Sequence, residues 1–144
     1  SDTAELVLEN GSGLSRLERI SAQHLGALLQ AAWRSPVMPE FVSSLPIVAA
    51  DGTMKKRLNG GRVAGNAHIK TGLLQDARSI AGYVLDRHGQ RHLVVMLINH
   101  PRASSEGEPA LNAMLEWVYE GAGGRATGRA AARSNRPSGG PRSP

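Results

Sequence analysis

The chain has 144 residues, 40% of them hydrophobic and 3% aromatic, with a formal net charge of +5. That length allows one domain with a core of its own. No apolar run approaches the roughly 18–20 residues of a membrane span, and the lack of cysteine excludes disulfides and thiolate-held metals. All twelve acidic residues lie at or before Glu120, as do twelve of the seventeen basic ones. Residues 1–121 are therefore neutral, and the positive excess belongs to the tail, so a nucleic-acid-binding domain is not expected.

The chain opens Ser1-Asp2-Thr3 with neither a basic nor an apolar leader, so no signal peptide is expected in it. Residues 5–9 form a short β-like run, ended by the turn signal Asn10-Gly11-Ser12-Gly13. Ser21 is placed to cap a helix whose apolar face is Leu25, Leu28, Leu29, Ala32 and Trp33. Pro36 and Pro39 stop it, and Pro39 starts a short second helix through Phe41 and Val42 to Leu45. Asp51-Gly52 reads as a turn, and residues 53–58 as a basic, exposed segment.

Glycines 60, 61 and 65 then lead into His68-Ile69-Lys70-Thr71-Gly72. Lys70 has no other lysine within ten residues on either side. A cation, a hydroxyl and a glycine in sequence on a strand edge can grip a carboxylate and leave the backbone open to a ligand. Residues 79–85 and 93–98 read as strands that pair as an antiparallel hairpin across His88-Gly89-Gln90. The second has no polar alternation, which places it centrally in its sheet. Ser105 and Glu108 have capping-box spacing, ahead of an apolar stripe of Leu111, Met114, Leu115, Val118 and Tyr119 that should lie across the sheet. The pattern is α+β, an antiparallel sheet packed with helices over residues 1–121. Residues 122–144 are mostly Gly, Ala, Arg, Ser and Pro with little to bury, and are expected to be a disordered tail.

Several other chemistries fail on their residues. Residues 65–71 lack the glycine that a phosphate loop needs before its lysine. Gly11-Ser12-Gly13 lacks the glycine spacing of a nucleophile elbow. His88 and His92 straddle a turn with no carboxylate in a ligand pattern, so they read as solvated. No metal site and no cofactor are expected.

Two stretches remain, Asn10-Gly11-Ser12-Gly13-Leu14-Ser15-Arg16 and His68-Ile69-Lys70-Thr71-Gly72. Together they resemble the low-molecular-mass class C penicillin-binding proteins, the D-alanyl-D-alanine carboxypeptidases and endopeptidases of peptidoglycan. Residues 45–54, with Asp51-Gly52-Thr53-Met54, and Ala81-Gly82-Tyr83 fit the same spacing, so the resemblance covers about residues 3–120. It implies part of a penicillin-binding, β-lactamase-like transpeptidase fold, a serine-type peptidase, and an acyl-enzyme route with the motifs Ser-x-x-Lys, Ser-x-Asn and Lys-Thr-Gly.

Laid on this sequence, the resemblance makes Ser15 the serine of the second motif, a proton relay. Lys70 becomes the third-motif lysine, polarising Ser15 and attracting the free carboxylate of a terminal D-alanine or of a penicillin. Thr71 adds a hydroxyl donor, Gly72 keeps the strand edge bare, and the Leu73 backbone N–H supplies half of the oxyanion hole. Peptidoglycan stem peptides and β-lactams are the implied ligands, in a periplasmic or other extracytoplasmic setting.

Two departures qualify the match. Leu17 stands where the pattern wants asparagine, and the chain holds no Ser-x-x-Lys. Its nearest string, Thr53-Met54-Lys55-Lys56, reads as structural. The expectation is therefore the carboxyl-terminal part of a peptidase, inactive by itself because its nucleophile is elsewhere, and prone to self-association through an uncovered strand. The alternative is a non-catalytic module that binds peptidoglycan peptides.

Overall fold

The structure is a computed structural model that describes residues 6–12, 15, 17–56, 58 and 60–121. The expected tail lies outside the described residues, as does the start of the first β-like run. Its described part forms a single antiparallel bridge, Val7 to Arg19.

Helix α1 (Ala22–Arg34) begins where Ser21 Oγ accepts the His24 N–H, the expected cap. Its inward face is narrower than the sequence pattern, because Leu29 is buried while Leu28 stands in solvent. Helix α2 (Met38–Ser43) has Pro39 in its first turn. A 3-10 turn follows (Gly52–Met54), and the expectation of an exposed segment over residues 53–58 fails at Met54 and, in part, at half-buried Leu58. Met54 is fully buried and joins the main core, because its apolar side chain anchors an otherwise polar loop.

Strands β1 (Ala67–Leu73), β2 (Ala77–Leu85) and β3 (Arg91–Asn99) form one antiparallel sheet in the order β1-β2-β3. The apolar run of β3 is therefore an edge strand of the described sheet, and β2 is the centre. Pairing, not apolarity, sets the order: β3 is as apolar as a central strand, but in the described sheet only β2 has a strand on each side.

Register sorts the two faces, since cross-strand partners point the same way. Ile69, Gly82 and Val94 align on one face, as do Thr71, Ile80 and Met96. Helix α3 (Ala103–Tyr119) covers this face with Leu111 and Leu115, both fully buried. His68, Tyr83 and Leu93 align on the other, followed by Lys70, Ala81 and Val95. Here α1 and α2 supply Leu29 and Val42, and the Tyr83 hydroxyl donates to the Leu29 carbonyl at 2.6 Å. The result is three layers, with helices on both faces of the sheet.

The capping box is not formed. Helix α3 starts at Ala103, so Ser105 lies inside its first turn and donates to the Arg102 carbonyl. Glu108 instead pairs with Arg78 of β2, whose guanidinium also donates to the Ser104 carbonyl at 2.8 Å. A cross-layer ion pair takes the carboxylate that local spacing had assigned to the helix terminus.

Candidate active site

Backbone alternation makes one part of β1 available to a ligand. In an antiparallel strand, alternate residues direct their N–H and C=O groups to opposite sides. The outer side of β1 is covered at first: Val48 N–H donates to the Ala67 carbonyl at 2.9 Å, and Ile69 N–H to the Pro46 carbonyl at 2.8 Å. Cover by residues 46–48 ends there. Thr71 and Leu73 share the outward orientation of Ala67 and Ile69, so their backbone groups face an edge left open by the described residues.

Side chains surround that edge. Lys70 is exposed on the α1 side of the sheet, and its Nζ donates to the Thr71 carbonyl at 2.7 Å. The ammonium is thus folded over the open edge of its own strand. Thr71 Oγ1 lies 2.9 Å from Thr53 Oγ1 on the 3-10 turn. Gly72 pairs with Ser79 across the ladder, and a Cβ at position 72 would collide with Ser79 Oγ. The glycine makes room for a hydroxyl as well as leaving the edge bare.

Ser15 is half-buried, and its Oγ accepts the Leu17 N–H at 3.0 Å. It lines an open cleft of about 850 Å³ together with Glu18, Arg19, Asp76, Ser79 and Asn99. Ser79 connects the two motifs: it faces Gly72 and borders the cleft that holds Ser15. The structure does not join Ser15 to Lys70 by a hydrogen bond, since Lys70 is engaged with the Thr71 carbonyl.

At the position where the pattern wants asparagine, the Leu17 side chain is exposed. Neighbouring Glu18 is occupied by the backbone N–H groups of Glu9 and Gly11, each at 3.3 Å. Asn99, at the end of β3, lines the cleft. Sequence reasoning missed both Asn99 and Ser79. Ser79 could have been found once the hairpin register was set, since pairing position 72 with 79 places a serine beside the glycine.

The histidine pair reads differently from its sequence expectation. His92 is bound to a carboxylate, with Nε2 2.8 Å from Asp86 Oδ2. Asp86 is 5% exposed, and its Oδ1 also accepts the N–H groups of His88 and Gln90. The His92 contact, followed by those backbone donors, holds the Asp86 carboxyl below its ordinary range despite burial. Among the described residues, no group of three or more His, Asp or Glu side chains could hold a metal ion.

Solved structures share this fold. Penicillin binding protein 4 (dacB) from Haemophilus influenzae superposes with a TM-score of 0.65 over 81% of this chain and 27% of its own, at 23% identity. A predatory endopeptidase from Bdellovibrio bacteriovorus gives a TM-score of 0.65 over 84% and 35%, at 20% identity. The model of the D-Ala-D-Ala carboxypeptidase 3 (S13) family matches residues 1–120, and the chain belongs to that family. A D-alanyl-D-alanine carboxypeptidase from Actinomadura sp. is 33% identical over 104 residues, 69% of this chain and 19% of the relative. A carboxypeptidase from Mycobacterium tuberculosis is 32% identical over 124 residues, 82% of this chain and 26% of the relative. The chain thus spans about a fifth to a quarter of these two relatives.

Proposed function

We propose that this chain forms the carboxylate-gripping wall of a serine-type D-Ala-D-Ala carboxypeptidase that acts on peptidoglycan stem peptides and is acylated by β-lactams outside the cytoplasm. The observation that carries the reading is the open edge of β1. There, Lys70 and the outward backbone groups of Thr71 and Leu73 lie together, beyond the end of the cover by residues 46–48. A peptide laid antiparallel on that edge receives the Leu73 N–H at its carbonyl, while Lys70 meets its terminal carboxylate. An oxyanion donor of this kind contributes roughly 2.7–4 kcal/mol in the transition state.

Ser15 occupies the position of the proton relay. On substrate binding, the carboxylate draws Lys70 away from the Thr71 carbonyl, and the ammonium turns toward the cleft on its own face of the sheet. The acylated serine and its lysine base are not among these 144 residues, because no Ser-x-x-Lys occurs in them. Support comes from the family match and from the Haemophilus protein, whose structure has been solved in complex with a β-lactam.

Fluorescent penicillin should leave no covalent band on the 144-residue chain. A chain extended by upstream coding sequence containing Ser-x-x-Lys should be labelled. Labelling of the 144-residue chain would overturn this assignment of roles. In a titration followed by NMR, an acyl-D-Ala-D-Ala peptide should shift the amides of β1. The absence of any shift at millimolar peptide would remove the grip itself.

A further inference from the structure

The carboxylate grip assigns no task to Thr53, yet the fold holds this residue with care. Its loop is fixed at several points. Asp51 Oδ1 accepts the Ile47 N–H at 2.5 Å, the Ala49 N–H donates to the Met54 carbonyl at 3.0 Å, and Met54 is sunk in the core. Gly52 has φ +51, and a Cβ there would press on Pro46 at 3.1 Å. Ala49 has a φ of 62, a left-handed conformation that costs a non-glycine residue about 1–3 kcal/mol. A strained, multiply anchored loop thus carries a solvent-exposed threonine whose Oγ1 lies 2.9 Å from Thr71 Oγ1.

We infer that Thr53 is a positioning residue: its hydroxyl donates to Thr71 Oγ1 and leaves the Thr71 O–H directed at the ligand carboxylate. Either hydroxyl could donate at this distance, and the inferred direction is the one that leaves Thr71 a proton to give. Two hydroxyls hold two protons, and one hydrogen bond between them uses one. With Thr53 as donor, the free proton sits on Thr71, the residue whose backbone carbonyl Lys70 Nζ contacts. Donation into Thr71 also polarises its O–H and strengthens the bond it gives away. Without Thr53, the Thr71 hydroxyl rotates among its rotamers and must be ordered by the ligand.

This inference rests on the carboxylate grip proposed above, and its test separates the two. NMR titrations of the 144-residue chain compare an acyl-D-Ala-D-Ala free acid with the same peptide as its carboxyl-terminal amide. Wild type should prefer the acid. Thr53→Val, which keeps the shape and removes the hydroxyl, should weaken the acid about 3- to 10-fold, leave the amide unchanged, and keep the melting temperature near wild type. Thr53→Ser should restore acid binding. Thr53→Val in a Thr71→Val background should cost nothing further, because the effect passes through Thr71.

Acid binding by Thr53→Val equal to wild type would overturn the positioning role, and so would independent, additive losses. If Lys70→Met still abolishes acid binding in that event, the carboxylate grip stands alone. A wild type that binds neither peptide removes both.

Discussion

Gly72 and Ser79 face one another across the β1–β2 ladder, and the Ser79 hydroxyl fills the space that a side chain at position 72 would take. A side chain at position 72 would therefore force the Ser79 hydroxyl out of its present place. Gly72→Ala should destabilise by about 1–3 kcal/mol through overpacking. The same change in a Ser79→Ala background should cost far less, because the Ser79 Cβ would stand 3.7 Å from the new methyl, an ordinary contact. Chemical denaturation of the four proteins measures the coupling. Purely additive losses would show that Ser79 is not what demands the glycine.

Much of the architecture could be read from local chemistry. The Ser21 cap, the proline-bounded helices, the hairpin and the stripe on α3 rest on interactions a few residues apart. What failed was decided across layers. Glu108 has the spacing of a capping residue, but Arg78 lies 30 residues away in sequence and takes it. Met54 sits in a basic string, yet the core claims its side chain. The site shows the same division. Lys70, Thr71 and Gly72 are visible as a tripeptide, whereas Ser79, Thr53 and Asn99 join it only through register and loop placement.

The turn between β2 and β3 carries an acid-sensitive lock. Asp86 accepts from His92 and from the backbone of His88 and Gln90, and these bonds hold its carboxyl below the ordinary value of 3.8. A depressed folded-state value means that the unfolded chain binds the proton first as pH falls. The stabilisation is complete above the unfolded value and is lost as pH drops through the folded one. Melting temperature should therefore fall below about pH 4, and Asp86→Asn should flatten that acid limb while lowering stability at neutral pH. An unchanged acid limb in the variant would assign the acid sensitivity to other groups.

Leu115 ties α3 to the sheet from a fully buried position next to Leu111. Leu115→Ala should cost about 2–5 kcal/mol, the range for an enclosed leucine whose cavity cannot fully collapse. In contrast, Leu28→Ala on the solvent side of α1 should fall within about 0.5 kcal/mol of wild type. Urea denaturation of both variants checks the layer assignment. Equal losses would contradict the inward face drawn for α1.

Lys70 separates binding from stability most sharply. Its side chain is exposed and, among the described residues, its ammonium bonds the carbonyl of the next residue, so little folding energy depends on it. Lys70→Met keeps the length of the stem and should change stability by less than about 0.5 kcal/mol. A free acyl-D-Ala-D-Ala acid should nevertheless bind it at least about 10-fold more weakly, as expected when a charge-assisted contact is lost. Salt provides a second check. Attraction between an exposed ammonium and a carboxylate is screened, so wild-type affinity should decline as ionic strength rises from about 0.01 M to 0.15 M. The methionine variant should show almost no such decline. A salt slope that persists in Lys70→Met would mean that another cation, such as Arg19 in the adjoining cleft, holds the carboxylate.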